Sequence, residues 1–295
     1  MKIVECVPNF SEGRREDVIE RIIDAVRAVD GVKVLDYSSD PSHNRTVLTF
    51  VGEPMAVKEA AFRVAEKAAE LIDMEQHQGE HPRIGATDVI PLIPISGVTM
   101  EECVELAREL GRDIGEKLGI PVYLYEEAAT RPDRKNLAHV RRGEYEGLKE
   151  AIKTPERQPD FGPAQMHPKA GAVAVGARPP LVAYNINLDT DNVDIAKAIA
   201  RTIRGSSGGY PSIKALGVLI EETGKAQVTI NVCNYKEVSL ARVFETVKIE
   251  AERYGVNITG SEIVGLVPME ALLDAAAFYL RLDGFQLDQV LEKRL

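Results

Sequence analysis

Between residues 77 and 88 the sequence reads HQGEHPRIGATD, and two of the chain's five histidines, His77 and His81, stand there with Glu80, Arg83 and Asp88. An imidazole has an unperturbed pKa of ~6.5, which permits proton transfer in either direction near neutral pH. Pro82 restricts His81 to an extended backbone, and Gly85 lets another stretch of chain pass close by. Glu80 or Asp88 could orient the His81 ring. The plainer alternative is a polar helix-to-strand connection with surface histidines. His77 and His81 are spaced like metal ligands on a helix, but Gly79 and Pro82 argue against a helix there.

Two further segments carry polar chemistry. The hairpin around Ser38 to Asn44 holds His43 and leads into Arg45, whose guanidinium can take a carboxylate with two hydrogen bonds or sit in a solvated turn. The loop Asn9 to Gly13 either caps the helix that follows or offers backbone N–H groups to an anion. Neither GxGxxG nor GxxxxGK[ST] occurs, and there is no GxSxG elbow. GSSGG at 205–209 follows a helix, the wrong side for a phosphate loop, and reads as a flexible loop.

These segments need elements to position them. Ile3 to Pro8 reads as a strand, and Val18, Ile19, Ile22, Ile23 and Val26 as the apolar stripe of a helix. Residues 32–37 read as a strand, 38–44 as a turn and Thr46 to Val51 as the returning strand. After Pro54 comes a helix with Val57, Ala61, Val64, Ala68 and Leu71 on one face. Val89 to Ile95 is the next strand. Thr99 and Glu102 form a capping box for a helix that Gly119 stops, and Val122 to Tyr125 is one more strand. The second half repeats the order. Strands are expected at Leu181 to Leu188, Ala215 to Ile220 and Val228 to Val232, the last two joined by a turn at Glu222-Thr223-Gly224-Lys225. Helices are expected around Ile195 to Ile203, Leu240 to Tyr254 and Glu270 to Leu282, with 256–267 extended. Each half therefore spells β-α-β-β-α-β, the split βαβ order. In the first half that order brings Asn9 to Gly13, Ser38 to Asn44 and Gln76 to Ala86 to one edge of the sheet. The stretch 160–180, rich in Gly, Pro and Ala, is either a linker or a segment laid against something else.

The chain has 295 residues, which suggests about two domains. It is 44% hydrophobic and 28% charged, a globular balance. Lys plus Arg total 36 against 46 for Asp plus Glu, and this net charge of −10 argues against nucleic acid or an anionic membrane as the main partner. No apolar run approaches ~18 residues, so no transmembrane helix is expected. The start, MKIVECVPNF, reads as a first strand and not a signal peptide. Cys6, Cys103 and Cys233 form no CxxC pair, so neither zinc nor a disulfide framework is expected, and the cytosol is the default compartment.

Several long segments closely resemble the glutamate formiminotransferase family, the transferase part of formiminotransferase-cyclodeaminase. They are ECVPNFSEGR (5–14), NRTVLTFVGEP (44–54), 71–103, GIPVYLYEEAA (119–129), DFGPAQMHPKAGA (160–172), YNINL (184–188) and GSEIVGLVPMEALLDAAAFYL (260–280). The resemblance runs in order along nearly the whole chain. It implies an α+β fold of two ferredoxin-like (βαββαβ) subdomains, 1–178 and 179–295, with the substrates held in a cleft between them, and a homodimer in the cytoplasm. The implied reaction moves the formimino group of N-formimino-L-glutamate to N5 of tetrahydrofolate, a co-substrate, without metal.

The resemblance also places roles. The family's catalytic histidine lies in GEHPR, which puts it on His81. The folate-contacting stretch falls on Gly162, Pro163, Ala164, Gln165, Met166, His167, Pro168, Lys169, Ala170 and Gly171. Asn9 matches another site position. Both substrates are polyanions, so Arg45, Arg83, Lys169 and Arg178 are the expected cations. The family pattern has a second acidic residue soon after the one matching Asp36. Here Tyr37-Ser38-Ser39-Asp40 stands, so Asp40 must take that role or it is lost. Glu262 replaces a Gln of animal relatives. The chain ends at Leu295 with no room for a cyclodeaminase part, so a separate protein is expected for any deamination. Other readings are a different one-carbon donor, such as formylglutamate or formiminoglycine, and a folate-binding protein without catalysis.

Overall fold

Alternating side chains over Ile3–Cys6 (β1) bury Val4 and Cys6 against the helices and turn Glu5 to the other face. In the computed structural model, which describes residues 1–221 and 223–294, the extended chain does not stop at Pro8 but resumes at Asn9–Phe10 (β2). Pro8 removes a donor without changing the direction of the backbone, and its carbonyl still accepts from Leu48 N at 3.0 Å. Helix α1 (Glu16–Arg27) buries Val18, Ile19, Ile22, Ile23 and Val26. Strand β3 (Val32–Asp40) runs three residues further than its sequence pattern suggests, because Ser38, Ser39 and Asp40 stay paired with Val47, Thr46 and Arg45 of β4 (Arg45–Gly52). Helix α2 (Pro54–Leu71) begins with Pro54 in its first turn, where a missing N–H costs nothing.

Strand β5 (Thr87–Ser96) and helix α3 (Met100–Asp113), with its Thr99–Glu102 capping box, follow. The helix widens into a π turn over Ile114–Leu118 and ends at Gly119, whose φ of 64° suits glycine. Strand β6 is Val122–Glu126. The order β3-β4-β1-β5, antiparallel throughout, is the expected split βαβ sheet.

One reading of the sequence is overturned. The stretch 160–180 is not a linker. Val173–Ala177 (β7) is an inner strand, parallel to both β5 and β6 and lying between them. All five of its residues are buried, as in a parallel strand covered on both faces. Two short helices unread from the sequence, α4 (Leu137–Val140) and α5 (Glu144–Ala151), cover the second face. There Ile84, Val89, Tyr123, Tyr125, Val140 and Leu148 form a separate core.

The chain divides into two units, Met1–Arg178 and Pro179–Leu295. The second is built from β8 (Val182–Leu188), α6 (Val193–Ile203), β9 (Ile213–Ile220), β10 (Lys225–Val232), α7 (Leu240–Arg253), β11 (Ile258–Val264) and α8 (Met269–Leu280). Its sheet runs β11-β8-β10-β9, the same βαββαβ topology around a core of its own. GSSGG is partly a short 3-10 turn (Gly205–Ser207), braced by Arg204 Nε donating to Ser207 Oγ at 2.7 Å. Glu222, expected in the β9–β10 turn, lies outside the described residues, as does Leu295. Among the described residues no helix is long and apolar enough to cross a membrane.

Candidate active site

The three segments that topology sends to one sheet edge do meet there. Ser11 N donates to Ala86 O and Ser11 Oγ to Gly85 O, both at 2.8 Å. Asn44 bolts all three together. Its Oδ1 accepts from Gly13 N at 2.9 Å, its Nδ2 donates to Gln78 O at 2.9 Å, and its own carbonyl lies 3.0 Å from His77 Nε2. Asn44 has φ 48°, a left-handed conformation that Asn tolerates better than most residues. Gly79 must lack a side chain, since a Cβ there would collide with the His43 carbonyl. Gly85 must lack one too, because it packs against the Ala170 and Ala172 backbone.

These contacts enclose a narrow pocket lined by His43, Arg45, His77, His81, Arg83 and Asp88, among others. The His81 ring is half-buried, and its Nδ1 has no hydrogen-bond partner. Burial, then the nearby charges of Arg45, Arg141 and His43, press its pKa down to about 3, against a small upward pull from the Pro82 backbone. The ring is therefore neutral at pH 7. Neither carboxylate expected to orient it does so. Glu80 is exposed, and buried Asp88 accepts from Ile84 N at 2.9 Å and pairs with Arg141. Arg141 is a member of this cluster that the sequence reading passed over, since it follows a four-residue helix with little periodic signal.

The other expected residues separate into groups. Arg45 donates to Asn9 Oδ1, while Asn9 Nδ2 donates to Val7 O at 2.9 Å. Arg45 Nε is buried without a partner, and burial followed by the Arg141 charge lowers the Arg45 pKa to about 10. Asp40 lies on the hairpin, its Oδ1 accepting from Ser42 N at 2.8 Å and His43 N at 2.9 Å and its Oδ2 2.6 Å from His43 Nδ1. Partial burial pushes the Asp40 carboxyl upward, but hydrogen bonds from His43 and Ser42 win and hold it below its ordinary range. The His43 and His81 rings meet edge to face, their centroids 6.1 Å apart.

Arg83, expected among the cations for substrate, is matched inside the protein. It forks onto Glu146 at 2.7 and 2.9 Å, reaches Glu144 at 3.1 Å, and donates to His77 Nδ1 at 3.2 Å. The structure does not bring Arg178 to the pocket: its N–H donates to Leu92 O at 3.1 Å, and its charge acts on Glu5 and Tyr125. The N–H groups before α1 are not free for an anion, because buried Glu12 accepts from Arg14 N at 3.0 Å and Arg15 N at 2.9 Å. Glu262, in the second unit, accepts from Asn185 and Gln227, each at 3.1 Å.

The stretch Gly162–Gly171 is an exposed loop whose end is stitched to the same edge. Gly162 to Gln165, Pro168 and Lys169 are exposed, whereas Ala170 and Gly171 are buried. Met74 N donates to Lys169 O at 2.9 Å and Ala86 N to Ala170 O at 2.8 Å. His167 Nδ1 accepts from Ala170 N at 2.9 Å and Lys169 N at 3.3 Å, which leaves the proton of the neutral ring on Nε2. The arrangement offers a neutral imidazole as base, cations that an anionic ligand would offset, and a loop reaching the same edge.

Comparison with known proteins shows the family. Residues 3–178 match the family described as "Formiminotransferase domain, N-terminal subdomain", and residues 183–293 match "Formiminotransferase domain". The chain is 52% identical over 295 residues to a glutamate formimidoyltransferase of Streptococcus pyogenes serotype M1, covering 100% of this chain and 99% of that one. It is also 52% identical to a glutamate formimidoyltransferase of Thermoplasma acidophilum, covering 100% of this chain and 98% of the other. Against a formimidoyltransferase-cyclodeaminase of Mus musculus it is 46% identical, over 94% of this chain and 52% of that protein. The chain belongs to the formiminotransferase family.

Proposed function

We propose that this chain is a glutamate formimidoyltransferase, moving the formimino group of N-formimino-L-glutamate to N5 of tetrahydrofolate, with His81 as the group that accepts and returns protons. Full-length similarity supports the reaction. The observation that carries the role of His81 is its place in a pocket beside Arg45 with an unpartnered Nδ1. N5 attacks the amidine carbon, a tetrahedral intermediate forms, N5 loses a proton, and the departing glutamate nitrogen gains one. A positioned imidazole contributes about 10²–10⁴-fold to such a step, and holding the two substrates together supplies the larger share. A bound carboxylate offsets the Arg45 charge and so raises the basicity of His81 at the moment it is needed. Asn9 and Arg45 hold the glutamate end, and Gly162 to Gly171 with Lys169 contact the folate. A cytoplasmic homodimer fits the same reading. Free Cys6 and Cys103, both buried, are at home in a reducing compartment.

The test is purified protein with tetrahydrofolate and each of three donors: formiminoglutamate, formylglutamate and formiminoglycine. Glutamate release from the first alone is expected. The His81→Ala variant keeps its circular dichroism spectrum and loses about 10²–10⁴-fold in kcat. Near-normal turnover in that variant removes the assignment.

A further inference from the structure

The second imidazole of the pocket has no role in the scheme above. Its setting is built. The Asp40 carboxylate is fixed by two backbone N–H groups of the turn, at 2.8 and 2.9 Å, and holds His43 Nδ1 at 2.6 Å. A carboxylate on Nδ1 keeps a proton there, fixes the ring plane and stabilises the charged ring as it forms. The His43 ring stands edge to face with His81, centroids 6.1 Å apart, and both line the same pocket. The His43 side chain is 46% exposed, so it can exchange protons with water, whereas His81 is half-buried.

We propose that Asp40 and His43 form a second proton-transfer unit: His81 takes the proton from N5, as above, but the proton given to the departing glutamate nitrogen comes from His43 and not from His81. This rests on the formimidoyl transfer proposed above. The reaction makes one bond, N5 to carbon, and breaks one, carbon to the glutamate nitrogen. One proton leaves N5 for His81, and one leaves His43 Nε2 for the glutamate nitrogen. Water returns a proton to His43, and His81 gives one up on product release, so the sum is transfer of one proton and one formimino group. Two atoms bonded to the same carbon need protons moved in opposite senses. Two rings side by side do this without turning one ring over between steps. Asp40 is a positioning residue. The charged and titratable groups around His43 are Asp40 on its own turn, His81 against its ring, and Arg45, His77, Arg83 and Asp88 of the shared pocket, while Arg14 reaches the same turn by donating to Pro41 O at 2.7 Å and Glu80 by its backbone N–H, donating to Ser42 O at 3.3 Å.

The test compares wild type, His43→Asn, His43→Ala, Asp40→Asn and His81→Ala for glutamate release across pH. His43→Asn is expected to lose about 10²-fold in kcat. Its KM for formiminoglutamate stays within about threefold, a difference of well under 1.4 kcal/mol. Asp40→Asn retains a turn acceptor and lowers kcat with KM little changed. Added imidazole restores turnover to His43→Ala, whose site opens to solvent, and none to His81→Ala. A His43→Asn variant with kcat within about threefold of wild type, or a His43→Ala variant that added imidazole does not restore, overturns the proposal. If wild type itself releases no glutamate, the parent reading fails instead.

Discussion

The Arg45 guanidinium is the strongest single charge acting on the His81 imidazole, second only to burial in lowering the pKa of that ring to about 3. Arg45 is itself lowered, to about 10, by burial and then by Arg141. Two guanidiniums and a neutral imidazole thus share a region with buried Asp88, which pairs with Arg141, and with Asp40, whose charge acts on Arg45 from the hairpin. On the proposed reading, bound formiminoglutamate brings further carboxylates to these guanidiniums. Replacing Arg45 by Gln removes one of the two arginine contributions and leaves burial in place. The His81 titration, followed by the ring Cε1 proton in NMR, is expected to move upward from about 3 but to stay below 6.5. Saturating formiminoglutamate should move the wild-type titration in the same direction. A titration unmoved by either change means that Arg45 does not act on the ring.

Stability should respond to acid through the same ring. The folded pKa of His81 lies near 3 and the reference value is 6.5, so the unfolded chain binds the proton first. His77 and His167 are lowered in the same sense, each by burial before any other cause. The contribution of the neutral rings is complete above pH 6.5 and is lost as pH falls from there toward 3. Urea midpoints for wild type are expected to decline below pH 6.5, and the His81→Asn variant should decline less steeply over that range. Equal slopes would show that protonating His81 costs the fold nothing.

The sequence made the convergence of the three loops legible because topology alone decides which strand ends share an edge. The buried stripe of α1 and the Thr99–Glu102 capping box were equally open to reading, since both rest on spacing. Strand β7 was hidden for a physical reason. Its residues VAVGA are buried on both faces, so they show no alternation, and the strand is inserted out of chain order between β5 and β6. Arg141 and its pairing with Asp88 were hidden because they join residues 53 positions apart through a helix too short to announce itself. His43 was visible as a residue but not as a partner of Asp40. That pairing depends on the turn Asp40 makes with its own backbone.

Arg83 distinguishes a structural cation from a substrate cation. Its side chain is 9% exposed and its charge is met by Glu146 and Glu144. Arg83→Met should cost about 2 kcal/mol of unfolding free energy, in the range of charge-assisted hydrogen bonds with a partly exposed partner. Its KM for formiminoglutamate is expected to stay within about threefold of wild type. A KM raised by a factor of about 10² with no loss of stability would instead make Arg83 a substrate contact.

Asn44 is where the three loops can be separated from one another. Its side chain makes two hydrogen bonds, to Gly13 N and Gln78 O, each at 2.9 Å, and its backbone holds a φ of 48°. Asn44→Gly loses both bonds but keeps an unstrained backbone, for a cost of about 2 kcal/mol at roughly 1 kcal/mol per bond. Asn44→Ala loses the same bonds and adds the left-handed strain of a residue with a Cβ, so it should cost about 1 kcal/mol more. Both variants loosen the 77–88 segment, which keeps only His77 Nε2 against the residue-44 carbonyl and Glu80 N on Ser42 O, so both should lose kcat to a similar extent despite their different stabilities. Chemical denaturation read beside kcat checks the two halves of this expectation separately. If kcat followed stability instead of the shared loss of hydrogen bonds, backbone strain and not the loop bolt would be what Asn44 contributes to the pocket.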